Sequence, residues 1–372
     1  MARSHDMTSG SIWRSLLGFS IPIMISNLVQ STYNAVDMLF VGRFTGTESL
    51  AAVSVCGPIL NVMIITLSGM SAGVLVVISG LLGAGDIKQA QDAAHTSVAL
   101  YALMAAVMTV LGLLFVPQIL RLVQTPAAAM PEAKRYLYTV FAGTVFTFGY
   151  NLIGALQRGL GNAAASMSFV IISSAANIAL DAVFIVWLGM GAFGAALGTV
   201  LSQVAAFVIG TVQFARGGAA LRLSARAVRF HKKHLKNILL FGVPTALNEV
   251  MVNLAMLTVS GVANSFGLAS SAAYGVGSRI NSLAIFTDGA MNQTMSAYAS
   301  QNIGAGRQKR ALEGLWKAII LSAGAALGTS LLVLGFASEF SACFDSDPAV
   351  IEQSAAFLRV TVWSYPLFAT VG

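Results

Sequence analysis

The chain has 372 residues, of which 56% are hydrophobic and only 9% charged, and its formal net charge is +7. A soluble domain hydrates its surface with about 25% charged residues, so this composition, with a mean hydropathy of +0.79, excludes a water-soluble globule. Apolar runs of commonly twenty or more residues exclude a barrel of short alternating strands and predict an all-α polytopic membrane protein.

The N-terminal stretch MARSHDMTSGSIWRSL is polar and enters a long apolar segment without a small-residue cleavage site. It reads as a retained tail and not as a removed signal. Apolar stretches then follow near 15–41, 50–80, 92–117, 136–156, 163–188, 191–214, 238–262, 271–298, 314–337 and 353–371, giving ten expected crossings. Pro117, Pro126 and Pro131 punctuate the third connection, and glycines around Gly83, Gly159 and Gly189 mark others. With 36 glycines in the chain, close helix packing through small residues is expected. Cys56 and Cys343 lie far apart in apolar surroundings and read as unpaired small hydrophobes.

Between the sixth and seventh stretches, residues 214–237 carry Arg216, Arg222, Arg226, Arg229, Lys232, Lys233 and Lys236 and no acidic residue. The positive-inside rule places this linker in the cytoplasm, and six preceding crossings place the N-terminus there too. Arg307, Lys309 and Arg310 also fall inside, and Glu339, Asp345 and Asp347 fall outside. Lys134 and Arg135 go against the rule, with Glu132 beside them. Positive charge gathered in one linker between membrane helices implies contact with anionic lipid, not nucleic acid, and part of 219–236 is expected to form an amphipathic surface helix.

An internal repeat organises the crossings. FSIPIMISNLVQ in the first and FGVPTALNEVMV in the seventh set Pro22 against Pro244, SLAAV at 49–53 faces SSAAY at 270–274, and GLLGAGD at 80–86 faces QNIGAGR at 301–307. Six helices per unit return the chain to the same side, so the units have parallel topology and an axis along the membrane normal. The expected domains are an N-terminal lobe at 1–213, the basic linker at 214–237 and a C-terminal lobe at 238–372, in which four of six helices are present.

Ionisable side chains inside hydrocarbon are costly unless paired, hydrated or used. Asp37 shares the first helix with Asn27, Gln30, Tyr33 and Asn34, and Asn34 lies three residues before it on one face. In the fifth helix Asn177 precedes Asp181 by four, and Thr199 and Gln203 repeat that spacing in the sixth. Counting at ~1.5 Å per residue puts Asp181 and Thr199 roughly 10–12 Å from the outer ends. Two carboxylates, an amide and a hydroxyl at similar depth can give a sodium ion oxygen ligands or hold one shared proton, or they can simply bond helix to helix. Glu249 and Asp288 are comparably deep in helices seven and eight, which lets them meet across a helix pair or separately contact substrate, water or a backbone group. Tyr33, Tyr150, Phe146, Phe148, Met63 and Met70 offer a soft lining for flat cations, although most aromatic and methionine side chains must serve packing.

His95, His231 and His234 lack the spacing of a metal site, and no GxxxxGK[ST] phosphate loop is present. Nothing arranges a nucleophile, a base and an orienting group, so an enzyme is not expected. No cofactor is expected beyond a coupling H+ or Na+.

The patterns IPIMISNLVQSTYNAVDMLFVGRFTGTESLAAV, ALQRGLGN, NIALD and QNIGAGR together resemble the multidrug and toxic compound extrusion (MATE) family, from about residue 12 to the end. The resemblance implies two bundles of six helices around a V-shaped cavity, and export of varied, often cationic aromatic compounds in exchange for protons or sodium. It implies a bacterial inner (plasma) membrane protein with a cation site at Asp37, Asn177, Asp181 and Thr199, and a further coupling residue at Glu249. Two helices beyond those present are then expected. A monomer is favoured, and the rival readings are a lipid-linked precursor flippase, a channel and a non-transporting scaffold.

Overall fold

The computed structural model describes residues 6–217, 221–344 and 347–371, without the side chains at 225, 268, 283–287, 369 and 371. Arg3, Asp345 and part of the linker thus lie outside the described residues. These residues form eleven α-helices and no strand. In chain order they are α1 (Ile12–Phe44), α2 (Thr47–Gly83), α3 (Ile87–Leu122), α4 (Met130–Gly159), α5 (Ala163–Asp181), α6 (Gly191–Arg216), α7 (Lys232–Ser265), α8 (Leu268–Gly304), α9 (Gln308–Ala342), α10 (Pro348–Thr361) and α11 (Tyr365–Val371).

Eight helical segments are long and apolar enough to cross a membrane, the fifth of them running on through a π turn to Trp187. The other two expected crossings differ for identifiable reasons. The α8 helix is 37 residues long, but Asn281, Asp288, Asn292, Gln293, Gln301 and Asn302 dilute its hydropathy. The tenth is divided into α10, a 3-10 turn at Val362–Ser364 and α11. Pro366 lies just past that turn; it has no N–H for the ladder and its ring crowds the carbonyl of residue 362, so the chain tightens there.

Short connections make neighbouring helices antiparallel. One end of the bundle therefore carries the N-terminal segment, the linker and the α2–α3, α4–α5 and α8–α9 turns; we call it the basic end, and the opposite one the far end. The α2–α3 and α8–α9 turns are built alike. Gly85 and Gly306 sit at φ 71° and 72°, and the following amides of Asp86 and Arg307 reach back to the carbonyls of Leu81 and Asn302 at 3.0 and 2.8 Å. This six-to-one closure satisfies helix-end carbonyls and favours glycine at the left-handed position, so the two GAG anchors of the repeat fold into one kind of turn.

Within the first six helices, α4 packs on α2, α3 and α6, and α5 on α1 and α6. The two sets of helices meet mainly where α2 crosses α7 and α8, and where α1 lies along α8. A Cβ on Gly73 would overlap the Ile238 carbonyl, and one on Gly83 the Gln301 carbonyl. These contacts lie in the half of α2 that ends at the basic end. Toward the far end α7 is uncovered, with Met251, Leu254, Leu257 and Val262 exposed. The two sets of helices thus pack most closely toward the basic end, and the far half of α7 is largely uncovered.

The linker differs from expectation. Its described residues show no amphipathic surface helix, only a 3-10 turn at Ala225–Ala227. Its backbone instead bonds to side chains of α3: Arg222 N donates to Gln91 Oε1 at 2.7 Å, and Ser224 N to His95 Nε2 at 3.3 Å. Backbone groups satisfied in this way do not need a helical ladder.

Candidate functional site

One face of α5 is sealed and polar. Ser174, Asn177 and Asp181, spaced three and four apart, are 3%, 1% and 0% exposed. Their helix is otherwise small and apolar, AAASMSFVIISSAANIALD, so this stripe is its only strongly polar buried feature. The Ser174 hydroxyl, both ends of the Asn177 amide and both carboxylate oxygens of Asp181 lack a hydrogen-bond partner among the described residues, as does Oδ1 of Asp37. Leaving one such group unsatisfied costs about 1–3 kcal/mol, so this cluster is the candidate site of the bundle.

The α1 helix lies along α5 and brings Asp37 to Asp181, close enough for one carboxyl to hydrogen-bond to the other. Two ionised carboxylates can only accept; a proton on either allows the bond, and a cation between them removes the repulsion. Tyr33 and Tyr136 lie within electrostatic range of both acids, and Tyr136 is buried. Helix α6 closes the site from the other side. A Cβ on Gly198 would overlap Asp181 Oδ1, so the missing side chain is what admits the carboxylate to this helix surface. A π turn, Ala182–Trp187, follows Asp181 directly, and single π turns often occur at functional positions.

Asp37 and Asp181 are therefore neighbours, and Asn177 and Ser174 lie one and two turns back on the same buried face of α5. Ser174 lies three residues before Asn177, the same helical spacing that sets Asn34 beside Asp37, and that spacing is its sequence signal. Gly198 and Tyr136 have no comparable sequence signal. Thr199 follows Gly198 and is half-buried, but its hydroxyl makes no hydrogen bond to the carboxyl pair; its carbonyl accepts from Ser202 Oγ at 2.8 Å. Gln203 is turned to another neighbour, its side-chain oxygen accepting from the Thr147 hydroxyl of α4. Asn34 is exposed and makes no hydrogen bond to Asp37.

Glu249 and Asp288 are both half-buried, and of the alternatives open to them the structure does not show the meeting: no hydrogen bond joins the two. The reason is the placement of α7, which packs principally on α2 and only lightly on α8. Near Glu249 the link is to the first set of helices. Asn253 Nδ2 donates to the Glu249 carbonyl at 2.8 Å, and Asn61 Nδ2 of α2 donates to Asn253 Oδ1 at 3.3 Å.

A bundle of membrane-length helices, closed at one end and holding buried acids in its interior, defines a polytopic transport protein. The MatE family model matches residues 22–183 and 244–371, and the chain belongs to that family: it is a transporter and not an enzyme, a multi-pass protein of a bacterial membrane. It is 30% identical over 371 residues to the probable multidrug resistance protein YoeA of Bacillus subtilis, covering 96% of this chain and 79% of that one. Likeness to the probable multidrug resistance protein YpnP of the same organism is 27% over 364 residues, covering 98% and 81%. A solved structure described as the outward-facing conformation of a multidrug resistance MATE family transporter superposes with a TM-score of 0.91 at 25% identity, covering all of this chain and 84% of that one.

Proposed function

We propose that the protein is a secondary-active antiporter that exports organic, chiefly cationic aromatic, compounds in exchange for protons or sodium ions. The observation that carries this reading is the sealed cluster of unpartnered polar atoms on α5 and α1. Its four oxygens from Asp37, Asn177 and Asp181 suit a hard cation, and its paired carboxyls suit a proton. The relatives' names support the drug-like substrate class.

In this reading the basic end faces the cytoplasm, with the linker against anionic lipid, and the far end opens outward as a cleft between two lobes at 1–213 and 238–372. The protein works as a monomer. An external proton or sodium ion enters at Asp37 and Asp181, with Thr199 at its edge. Neutralising the pair removes the repulsion between α1 and α5 and lets α1 move, which lowers affinity for substrate. Pro22 interrupts the α1 ladder and gives that motion a place to occur. Glu249 and Asp288 contribute charge to the cleft that receives the cationic substrate.

The experiment is efflux of a fluorescent aromatic cation from proteoliposomes under separately imposed proton and sodium gradients. Export driven by one gradient, and abolished in Asp37→Asn at normal membrane insertion, is the expected result. Gradient-driven export undiminished in that variant would remove Asp37 from the mechanism.

A further inference from the structure

Two irregular segments, one before α1 and one before α7, cross from one set of helices to the other at the basic end. In the first, Asp6 folds a turn by accepting from the Thr8 hydroxyl at 2.6 Å, the Thr8 amide at 2.8 Å and the Ser9 hydroxyl at 2.8 Å. The Thr8 hydroxyl, with help from Ser9, the Thr8 amide and Arg307, holds the Asp6 carboxyl below its usual range although burial opposes it. The turn therefore stays ionised and intact at neutral pH.

This turn drives Met7 into the core between the two sets, where it is 0% exposed and shares a cluster with Leu16, Phe19, Leu75, Met291 and Tyr298. Its backbone is fully engaged by α8 and α9. Met7 N donates to Gln301 Oε1 at 3.2 Å, and Met7 O accepts from Asn302 Nδ2 at 3.2 Å and from Arg310 at 3.4 Å. Arg310 Nη2 also donates to the Ser9 carbonyl at 2.8 Å, and Arg307 to that of Thr8. Three consecutive residues ahead of α1, Met7, Thr8 and Ser9, are thus held by the α8–α9 hairpin.

The second segment does the same in the opposite direction. It leads into α7, yet it is held by α3. Arg222 exchanges backbone bonds with the Gln91 amide, Ser224 N donates to His95, His231 N donates to Thr96 Oγ1 at 3.2 Å, and Lys233 Nζ donates to Gln89 Oε1 at 2.8 Å. Leu221 is its buried anchor, in the core formed with Ala90 and Ala94.

We infer that the two segments are crossed straps that hold the basic end shut, and that release of the Met7 turn from Arg307 and Arg310 is a required step in opening that end. The inference rests on the alternating-access reading above. Opening must carry the α8–α9 hairpin away from α1, and the few residues between Met7 and Ile12 span at most about 3.3–3.6 Å each, so the turn cannot stay docked through a wide motion. Its bonds to arginine are charge-assisted and exposed to solvent at their edges, strong enough to bias a two-state equilibrium and still reversible.

The test measures the distance between spin labels at Lys88→Cys and Lys309→Cys, on opposite sides of the basic end, in Cys56→Ala/Cys343→Ser protein in lipid nanodiscs. Arg307→Ala/Arg310→Ala should raise the long-distance population by roughly tenfold or more, the effect of losing charge-assisted hydrogen bonds. An unchanged distribution in a monodisperse variant overturns the strap. In a second arm, Thr8→Cys/Arg307→Cys joined by a short bis-methanethiosulfonate reagent should silence efflux until reduced. Efflux at the uncrosslinked rate overturns the strap as well. Absence of efflux in the parent protein counts against the exporter reading alone, because the label distances still report on the strap; one short distance under every condition overturns both.

Discussion

Helices α5 and α7 each carry a deep acidic residue, Asp181 and Glu249, but they are packed in opposite ways. The Asp181 face of α5 is closed by α1 on one side and by α6 on the other, and the residue is fully buried. On α7, Glu249 is half-exposed, one turn from an amide pair that bridges to α2, and much of the helix is uncovered. The same functional group is therefore set in two different electrostatic environments. A sealed carboxylate changes its charge state only together with a proton or cation, whereas a half-exposed one stays open to whatever lies against its helix.

The sharpest way to break this contrast is Asp181→Asn. Losing the charged ligand should cost about 2–3 kcal/mol of ion affinity, roughly a hundredfold, read as a loss of coupled efflux and of ion-dependent stabilisation in thermal unfolding. Next is Gly198→Ala, which places a methyl group on the Asp181 oxygen. Overpacking of this kind costs about 1–3 kcal/mol, and both melting temperature and ion response should fall; an alanine variant with parental ion response would show that α6 does not confine the carboxylate.

Ser174→Ala sharpens the comparison further. It removes an unpartnered buried hydroxyl two turns from Asp181, worth about 1 kcal/mol, so ion affinity should drop severalfold at most while the maximum rate of efflux is retained. Smallest is Glu249→Gln. For a half-exposed charge the expected change is within about fivefold, and it should appear in the concentration dependence on the cationic substrate, not in the dependence on the driving ion.

Much of this arrangement is readable from the chain. Intramembrane acids are rare, so Asp37 and Asp181 stand out, and a four-residue spacing puts Asn177 beside Asp181. Identical spacing misleads at Thr199 and Gln203, because α6 has two polar neighbours: α5 lies against Gly198, and the longer Gln203 side chain meets Thr147 of α4. Periodicity gives the face of a helix but not which neighbour receives it. Gly198 is silent in sequence because its contribution is an absent side chain, and its value depends on where another helix passes. The straps are equally hidden: residues 6–11 have no apolar period, and only the packed structure shows Met7 as an anchor and not a tail residue.

The α2–α8 crossing at the basic end joins the two halves of the repeat. Gly83 lies against the Gln301 carbonyl and Gly304 against the Gly80 carbonyl, and positions 80 and 83 correspond through the repeat to 301 and 304. The contact is reciprocal: a patch in one half grips the matching patch in the other, as in a two-fold homodimer. The reciprocity carries a constraint, since a bulky substitution at either glycine must be tolerated by both halves at once.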